Sequence, residues 1–288
     1  MAKREENKYR LKRHEGFYLR EGWVEKAINA LKDGKLAFSK AEGVKTLGIG
    51  SNMVKSLRFW LIASGILSDT TGELTEMGRA ILECDPYLDD LFSWWMVHIN
   101  LASNYKEAPV FNILFNAPKL KNFNQEALTK IIQTTMEERK IDMANSGMVK
   151  DDVSVFVRSY VDQVSDNPED NMVCPLSRLS LMKEDKKGLN FLSASYKKLP
   201  MMAVYYAIAN VLESEETDSI NIDDLITANN SPVKIMNLDK NLLYTYLTDL
   251  SHAGLLTVNR TAGLNMIYLK EKMDSAQIVR RYFEGGIL

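Results

Sequence analysis

What most constrains the fold is a glycine-punctuated run of helices near the N-terminus. Residues 24–31 (VEKAINAL) put Val24, Ala27, Ile28 and Leu31 on one helical face, and Asp33-Gly34 stops the pattern. A short helix follows over residues 39–47, with Ser39 as its cap. Gly48-Ile49-Gly50 makes a tight turn, and Ser51 is expected to cap a longer helix with Val54, Leu57, Phe59 and Leu61 inward. Gly65 stands where a helix-terminating glycine belongs. The next residues, GILSDTTGELTEMG, read as a strand, a turn at Thr71-Gly72, and a second strand leading into a helix. Helix, helix, glycine turn, helix and hairpin, in that order, describe a winged helix-turn-helix.

The chain closes on the same order of elements without repeating the sequence. A short helix spans residues 222–228, and Pro232 opens a further turn. Residues 239–252 form a longer helix with Leu242, Leu243, Tyr246, Leu247 and Leu250 inward, ended by Gly254. LLTVN, a turn at Ala262-Gly263, and MIYL complete a hairpin. The middle is helical. Asp85 before Pro86 is a helix-start signal, and the run over residues 88–101 is apolar on most sides, so it belongs in the core. FNILFNAP ends in a loop at Pro118, and helices cover residues 124–140, 149–164 and 201–212 around a loop-like SDNPEDNMVCPLSRL. Asp151 and Asp152 read as helix-start residues.

The expected fold is therefore mainly α. A basic tail (residues 1–13) precedes an N-terminal winged helix-turn-helix (14–84), a central helical region (85–215) and a C-terminal winged helix-turn-helix (216–288). No apolar run is long enough to span a membrane, and the N-terminal MAKREENKYRLKR has no apolar stretch of the kind a signal peptide carries. Two distant cysteines, Cys84 and Cys174, fit a reduced, cytoplasmic protein without a disulfide framework. With only three histidines and no ligand spacing, a structural zinc site is not expected.

Charge separates the two winged units. Residues 1–60 hold 14 Lys/Arg against seven Asp/Glu, whereas the remainder is acidic, within a net charge of −2. A basic first segment suits a polyanion. Ser51, Asn52, Lys55 and Arg58 stand away from the apolar stripe of their helix, with Lys45 on the helix before it. Asparagine and arginine can pair with purine edges, and lysine and serine suit phosphates. These five residues are the expected DNA contacts. The matching C-terminal helix shows Asp239, Lys240, Asn241, Thr245, Thr248 and Asp249, with no positive excess. It suits scaffolding, partner binding or a homodimer contact.

Four stretches then carry a resemblance. HEGFYLREGW, LGIGSNMVKSLRFWLIASGIL with LTEMG, DPYLDD…WWMVH, and DDVSVFVRSYV…PEDNMVCPL occur in that order between residues 13 and 269. In this the chain resembles the SspB-like family of bacterial DNA phosphorothioation systems. The resemblance implies a DNA-acting subunit that nicks DNA for sulfur insertion and serves anti-phage defence. Its implied partners are DNA, a cysteine desulfurase and a sulfurtransferase. Where that family usually has His-Glu-Thr-Phe, this chain has His14-Glu15-Gly16-Phe17, so position 16 supplies no hydroxyl.

For nicking, RHEGFYLREGW holds the candidate catalytic side chains. His14 can act as general acid or base, Glu15 can orient water or bind Mg²⁺ or Mn²⁺, and Arg20 can grip a phosphate oxygen. A structural reading stays open beside this: Glu15 or Glu21 pairs with Arg20, His14 caps the helix, and Phe17 with Trp23 staples its entry. Two further functional readings also stay open, a non-enzymatic adaptor that recruits the sulfurtransferase and a transcriptional regulator. Asp85, Asp89 and Asp90 are metal-binding candidates that suit helix capping better, and Glu169 and Asp170 are further carboxylates in a loop. Cys174 could carry a persulfide and Trp94-Trp95 could stack on bases, but a buried thiol and the core are the expected places for them.

Overall fold

The computed structural model describes residues 10–33, 38, 40–139, 146–161, 173–260 and 265–285. Helix α1 (Trp23–Lys32) buries Trp23, Val24, Ala27 and Ile28, with Glu25 in its first turn and Lys32 in its last, each matched to the helix dipole. α2 (Lys40–Leu47) follows; its expected cap, Ser39, lies outside the described residues. α3 (Ser51–Ala63) starts differently from expectation. Gly50 takes the extended capping conformation and no side chain caps the helix, so Ser51 is its first residue and is exposed. Ser51, Asn52 and Lys55 are exposed in the first two turns, whereas every residue from Phe59 to Ala63 is buried.

The expected hairpin after α3 contracts to one antiparallel bridge between Leu67 and Leu74. Helix α4 (Glu76–Cys84) begins at once behind it, capped by Thr75, whose hydroxyl oxygen accepts from the Gly78 N–H at 3.0 Å. α4 lies so close at Gly78 that a Cβ there would run into the Ile66 carbonyl. The space a longer strand would need is taken by this helix.

Asp85-Pro86 does not start the next helix. Asp90 caps α5 (Leu91–Ser103), accepting from the Phe92 N–H at 2.8 Å. The buried Asp85 carboxylate instead accepts from the Asp89 and Asp90 N–H groups at 3.0 and 3.3 Å and from the Ser93 hydroxyl at 2.6 Å. Three converging donors satisfy a buried carboxylate better than one exposed cap would. α5 is buried on all sides from Phe92 to Ile99, as its apolar run requires, and both tryptophans lie in the core. Helices α6 (Pro109–Asn116) and α9 (Met201–Ser214) pack on it, and α7 (Gln125–Glu138) and α8 (Ser146–Tyr160) pack on each other and on α6. Asp151 and Asp152 are therefore mid-helix residues of α8, not helix-start residues.

Before α9 comes a hairpin that apolar alternation did not reveal. β1 (Met182–Asp185) pairs antiparallel with β2 (Gly188–Phe191), Met182 opposite Phe191. Three of the four β1 residues are exposed, so the strand carries no apolar pattern. Gly188, at φ +122, lies where any side chain would meet the Phe123 carbonyl, and Phe123 bridges Leu189.

The C-terminal third runs β3 (Ser219–Asn221), α10 (Ile222–Thr227), α11 (Pro232–Ile235), α12 (Lys240–His252), β4 (Leu256–Asn259) and β5 (Met266–Leu269). β5 is the central strand, antiparallel to both neighbours, with Ile267 opposite Ile220 and Val258. The expected turn at Ala262-Gly263 lies outside the described residues. A last helix, α13 (Ser275–Phe283), was not expected; it opens with a capping box from Asp274 and Gln277. It returns to the N-terminal unit. Arg280 meets Glu83 at 3.1 Å, and the Tyr282 ring stacks on Phe92 at 4.0 Å. Among the described residues the architecture is mainly α with two small sheets, and α1 and α13 contribute to one apolar core.

Candidate nucleic-acid interface

The loop before α1 is clamped between α3 and α8. Lys12, Glu15 and Gly16 all take positive φ, which folds residues 12–16 into a tight turn. The Phe17 carbonyl accepts from the Ser56 hydroxyl at 3.3 Å and the Trp60 indole N–H at 3.1 Å, fastening the loop to α3. On the other side, Asp152 of α8 accepts the Lys12 N–H at 3.0 Å and lies 2.8 Å from His14 Nε2. The Gly16 N–H donates to His14 Nδ1 at 3.0 Å. An Nδ1 that accepts leaves the ring proton on Nε2, so the imidazole donates to Asp152. His14 is only 3% exposed, and both its nitrogens are occupied inside the protein.

Glu15 turns the other way. It is exposed and faces the Lys55 ammonium of α3 at 3.5 Å. The structure thus separates the adjacent His14 and Glu15 side chains into interior and surface. Arg20 is half-buried, its guanidinium 5.6–6.0 Å from the centres of the Phe17, Tyr18 and Trp23 rings. The Arg158 guanidinium lies 4.5 Å from the same Tyr18 ring. This wall of aromatic faces holds two guanidinium groups beside the loop.

Of the expected DNA contacts, Lys45, Ser51, Asn52 and Lys55 are exposed. Arg58 is half-buried and pairs with Asp69 at 3.2 Å. Asp69 also meets Arg10, which reaches the buried Glu107 at 2.9 Å. Burial works to raise the Asp69 carboxyl pKa, but the Arg58 and Arg10 guanidinium groups outweigh it and hold the carboxyl below its ordinary value. Lys12 pairs with Asp151 at 2.7 Å, and that hydrogen bond raises the ammonium pKa. Asp152, Asp69 and Glu107 were not among the expected site residues. Their sequence signal is only a carboxylate, on a helix for Asp152 and in turns for Asp69 and Glu107, which does not name the partner.

Glu15 is paired with an ammonium, that of Lys55. Among the described residues, no group of three or more His, Cys, Asp or Glu side chains can hold a metal ion. Cys174 is buried, and Cys84 is half-buried with its thiol pKa raised, first by burial and then by Glu83. Glu169 and Asp170 lie outside the described residues. Among the described residues no helix is long and apolar enough to cross a membrane.

The family described as "Protein of unknown function (DUF4007)" matches residues 11–283. Among proteins with curated descriptions, none matches the chain. Two solved structures share its fold. One, described as an SspB crystal structure, has a TM-score of 0.80 at 23% identity, covering 96% of this chain and 88% of its own. The other, a magnesium ion-bound SspB, has a TM-score of 0.77 at 22% identity, covering 96% and 94%.

Proposed function

We propose that this chain, which belongs to the DUF4007 family of proteins of unknown function, is a DNA-binding component of a bacterial DNA phosphorothioation system and nicks the DNA it binds. In this reading the two terminal units are winged helix-turn-helix modules, and the N-terminal one meets the duplex. One observation carries the binding part: the exposed turns of α3 are its first two, where Ser51, Asn52 and Lys55 stand together, with Lys45 exposed on α2. A helix-turn-helix places that end of its second helix against base edges. The asparagine amide matches adenine, and the lysines and serine suit phosphates. The likeness to SspB folds supports the sulfur-modification setting, with the system's cysteine desulfurase and sulfurtransferase as partners.

Nicking needs a base for the attacking water and positive charge beside the phosphorane. Glu15 is the exposed carboxylate of the loop and takes the role of base. Lys55 and Arg20 supply the charge. His14, with both ring nitrogens engaged, positions the loop and does not touch DNA. The Glu15–Lys55 ion pair also favours a second reading, a non-enzymatic adaptor that uses this face only to grip DNA.

The test is plasmid relaxation by wild type and Glu15→Ala, with Mg²⁺, with Mn²⁺ and with chelator, beside a gel-shift measurement. Open-circle product that Glu15→Ala abolishes while keeping the shift supports nicking through this loop. Intact plasmid with a shift selects the adaptor. Absence of any shift refutes DNA binding.

A further inference from the structure

The cations around the N-terminal loop are largely neutralised from within. Lys12, Lys55, Arg58 and Arg10 each face a carboxylate. A different corner holds lysines without such partners. The loop over residues 117–123 carries Lys119 and Lys121, the β1–β2 turn carries Lys186 and Lys187, and α11 carries Lys234. None of these five makes an ion pair among the described residues: Lys119 donates to the Phe115 carbonyl and Lys234 to the Asn229 side-chain oxygen.

Backbone bonds bring the three segments together. The Phe123 N–H donates to the Leu189 carbonyl at 3.0 Å and the Leu189 N–H returns to Phe123 at 2.8 Å. The Asn122 N–H donates to the Asn190 side chain at 2.9 Å, and Gly188 lies against Phe123, which sets Lys121 beside the turn with Lys186 and Lys187. The Lys119 ammonium is 4.9 Å from the centre of the Phe191 ring on β2. The Ala194 N–H, just past β2, donates to the Met236 carbonyl next to α11. Lys234 is near enough to Lys119 for its charge to be felt there.

Carboxylates offset this corner only in part. Asp185 is occupied by Lys183 at 3.8 Å and by the Lys187 N–H at 2.8 Å, and Asp239 caps α12. Glu184 and Asp185 both stand exposed on the hairpin, against Lys183, Lys186 and Lys187. The remainder of the chain after residue 60 is acidic, so unpaired lysines gather here against the local trend.

We infer that this corner is a second, sequence-independent contact for the phosphate backbone of DNA, with Lys121, Lys186 and Lys187 tracking phosphates and Lys119 with Lys234 seating one. The inference rests on the DNA-binding reading and extends it to a surface that reading does not include. Several features favour nucleic acid over a protein partner. The exposed large apolar side chains among the described residues are Val44, Tyr87, Tyr105, Val173, Tyr196 and Tyr268, none of them on these three segments. A protein interface needs aromatic, methionine or arginine anchors and is poor in lysine. Lysines on flexible stems beside an exposed Asn122 amide suit phosphate oxygens at no fixed base sequence. Burial, with the Lys234 charge added, lowers the Lys119 pKa to about 7, and an arriving anion offsets both effects.

The experiment is a salt titration of duplex binding by the full chain. It compares wild type, the triple variant Lys121→Gln/Lys186→Gln/Lys187→Gln, and the double variant Lys45→Gln/Lys55→Gln. All five lysines are exposed, so circular dichroism should be unchanged. Each lost phosphate contact lowers the slope of log K against log salt by about 0.9, so the triple variant is expected to lose about 2.7. A triple variant with the wild-type slope, beside a double variant with a reduced one, overturns this surface and leaves the proposed function standing. A reduced slope in the triple alone supports the surface and moves DNA contact away from α3. A wild-type chain that does not bind DNA overturns both.

Discussion

His98 offers a direct test of how the core is held. It sits on α5, fully buried, with Nε2 2.8 Å from the Ile235 carbonyl and Nδ1 2.7 Å from the Tyr160 hydroxyl. A carbonyl can only accept, so Nε2 carries the proton and Nδ1 accepts from tyrosine. The ring is a neutral link joining α5, α8 and α11. Burial lowers its pKa from 6.5 to about 3, against the opposing pull of the Ile235 carbonyl. Between those values the unfolded chain takes up a proton that the folded chain refuses. Stability from this group is therefore intact above pH 6.5 and falls as pH drops toward 3. The slope is about 1.4 kcal/mol per pH unit, so about 2 kcal/mol is lost by pH 5. Urea midpoints at pH 7.5 and pH 5 would read this for wild type and His98→Gln. The variant should be less stable at pH 7.5 but lose about 2 kcal/mol less on acidification. Other titrating groups cancel in the double difference. Equal losses in the two proteins would refute the argument, as would an imidazole that NMR finds titrating above pH 5.

Two further substitutions probe the loop and the N-terminal helices. Asp152→Ala strands the buried His14 ring and the Lys12 N–H together, and should cost about 3 kcal/mol in a urea titration. Asp152→Asn, which can still accept, should cost less, and trypsin should cut the Ala variant faster after Lys12 and Arg13. Gly78→Ala improves helix propensity by about 1 kcal/mol, yet its Cβ would press on the Ile66 carbonyl. Overpacking of about 1–3 kcal/mol should win, so the melting temperature should fall; a rise would show that α4 can move away from Ile66.

Much of the helical layout was legible because burial leaves a period in the sequence. Val24, Ala27 and Ile28 marked α1, and the run around Trp94 and Trp95, apolar on most sides, marked a buried helix. The hairpin β1–β2 left no such mark, since its first strand is charged and exposed and its pairing depends on Phe123 filling the space beside Gly188. α13 did carry a capping box and an amphipathic pattern, but only the folded chain shows that it closes on α4 and Phe92.

The candidate site divides the same way. The sequence by itself determined which residues share a stretch or a helix face: His14, Glu15 and Arg20 on one loop, Ser51, Asn52 and Lys55 on the open end of α3. Tertiary structure decided which neighbour each one meets. Asp152, 138 residues from His14, draws that ring into the interior, Lys55 meets Glu15, and Asp69 takes Arg58. Periodicity reports the direction a side chain faces along its own element. The charge, hydrogen bond or ring opposite it comes from a distant element, and that partner settles whether an ionisable group is held inside or left for a ligand.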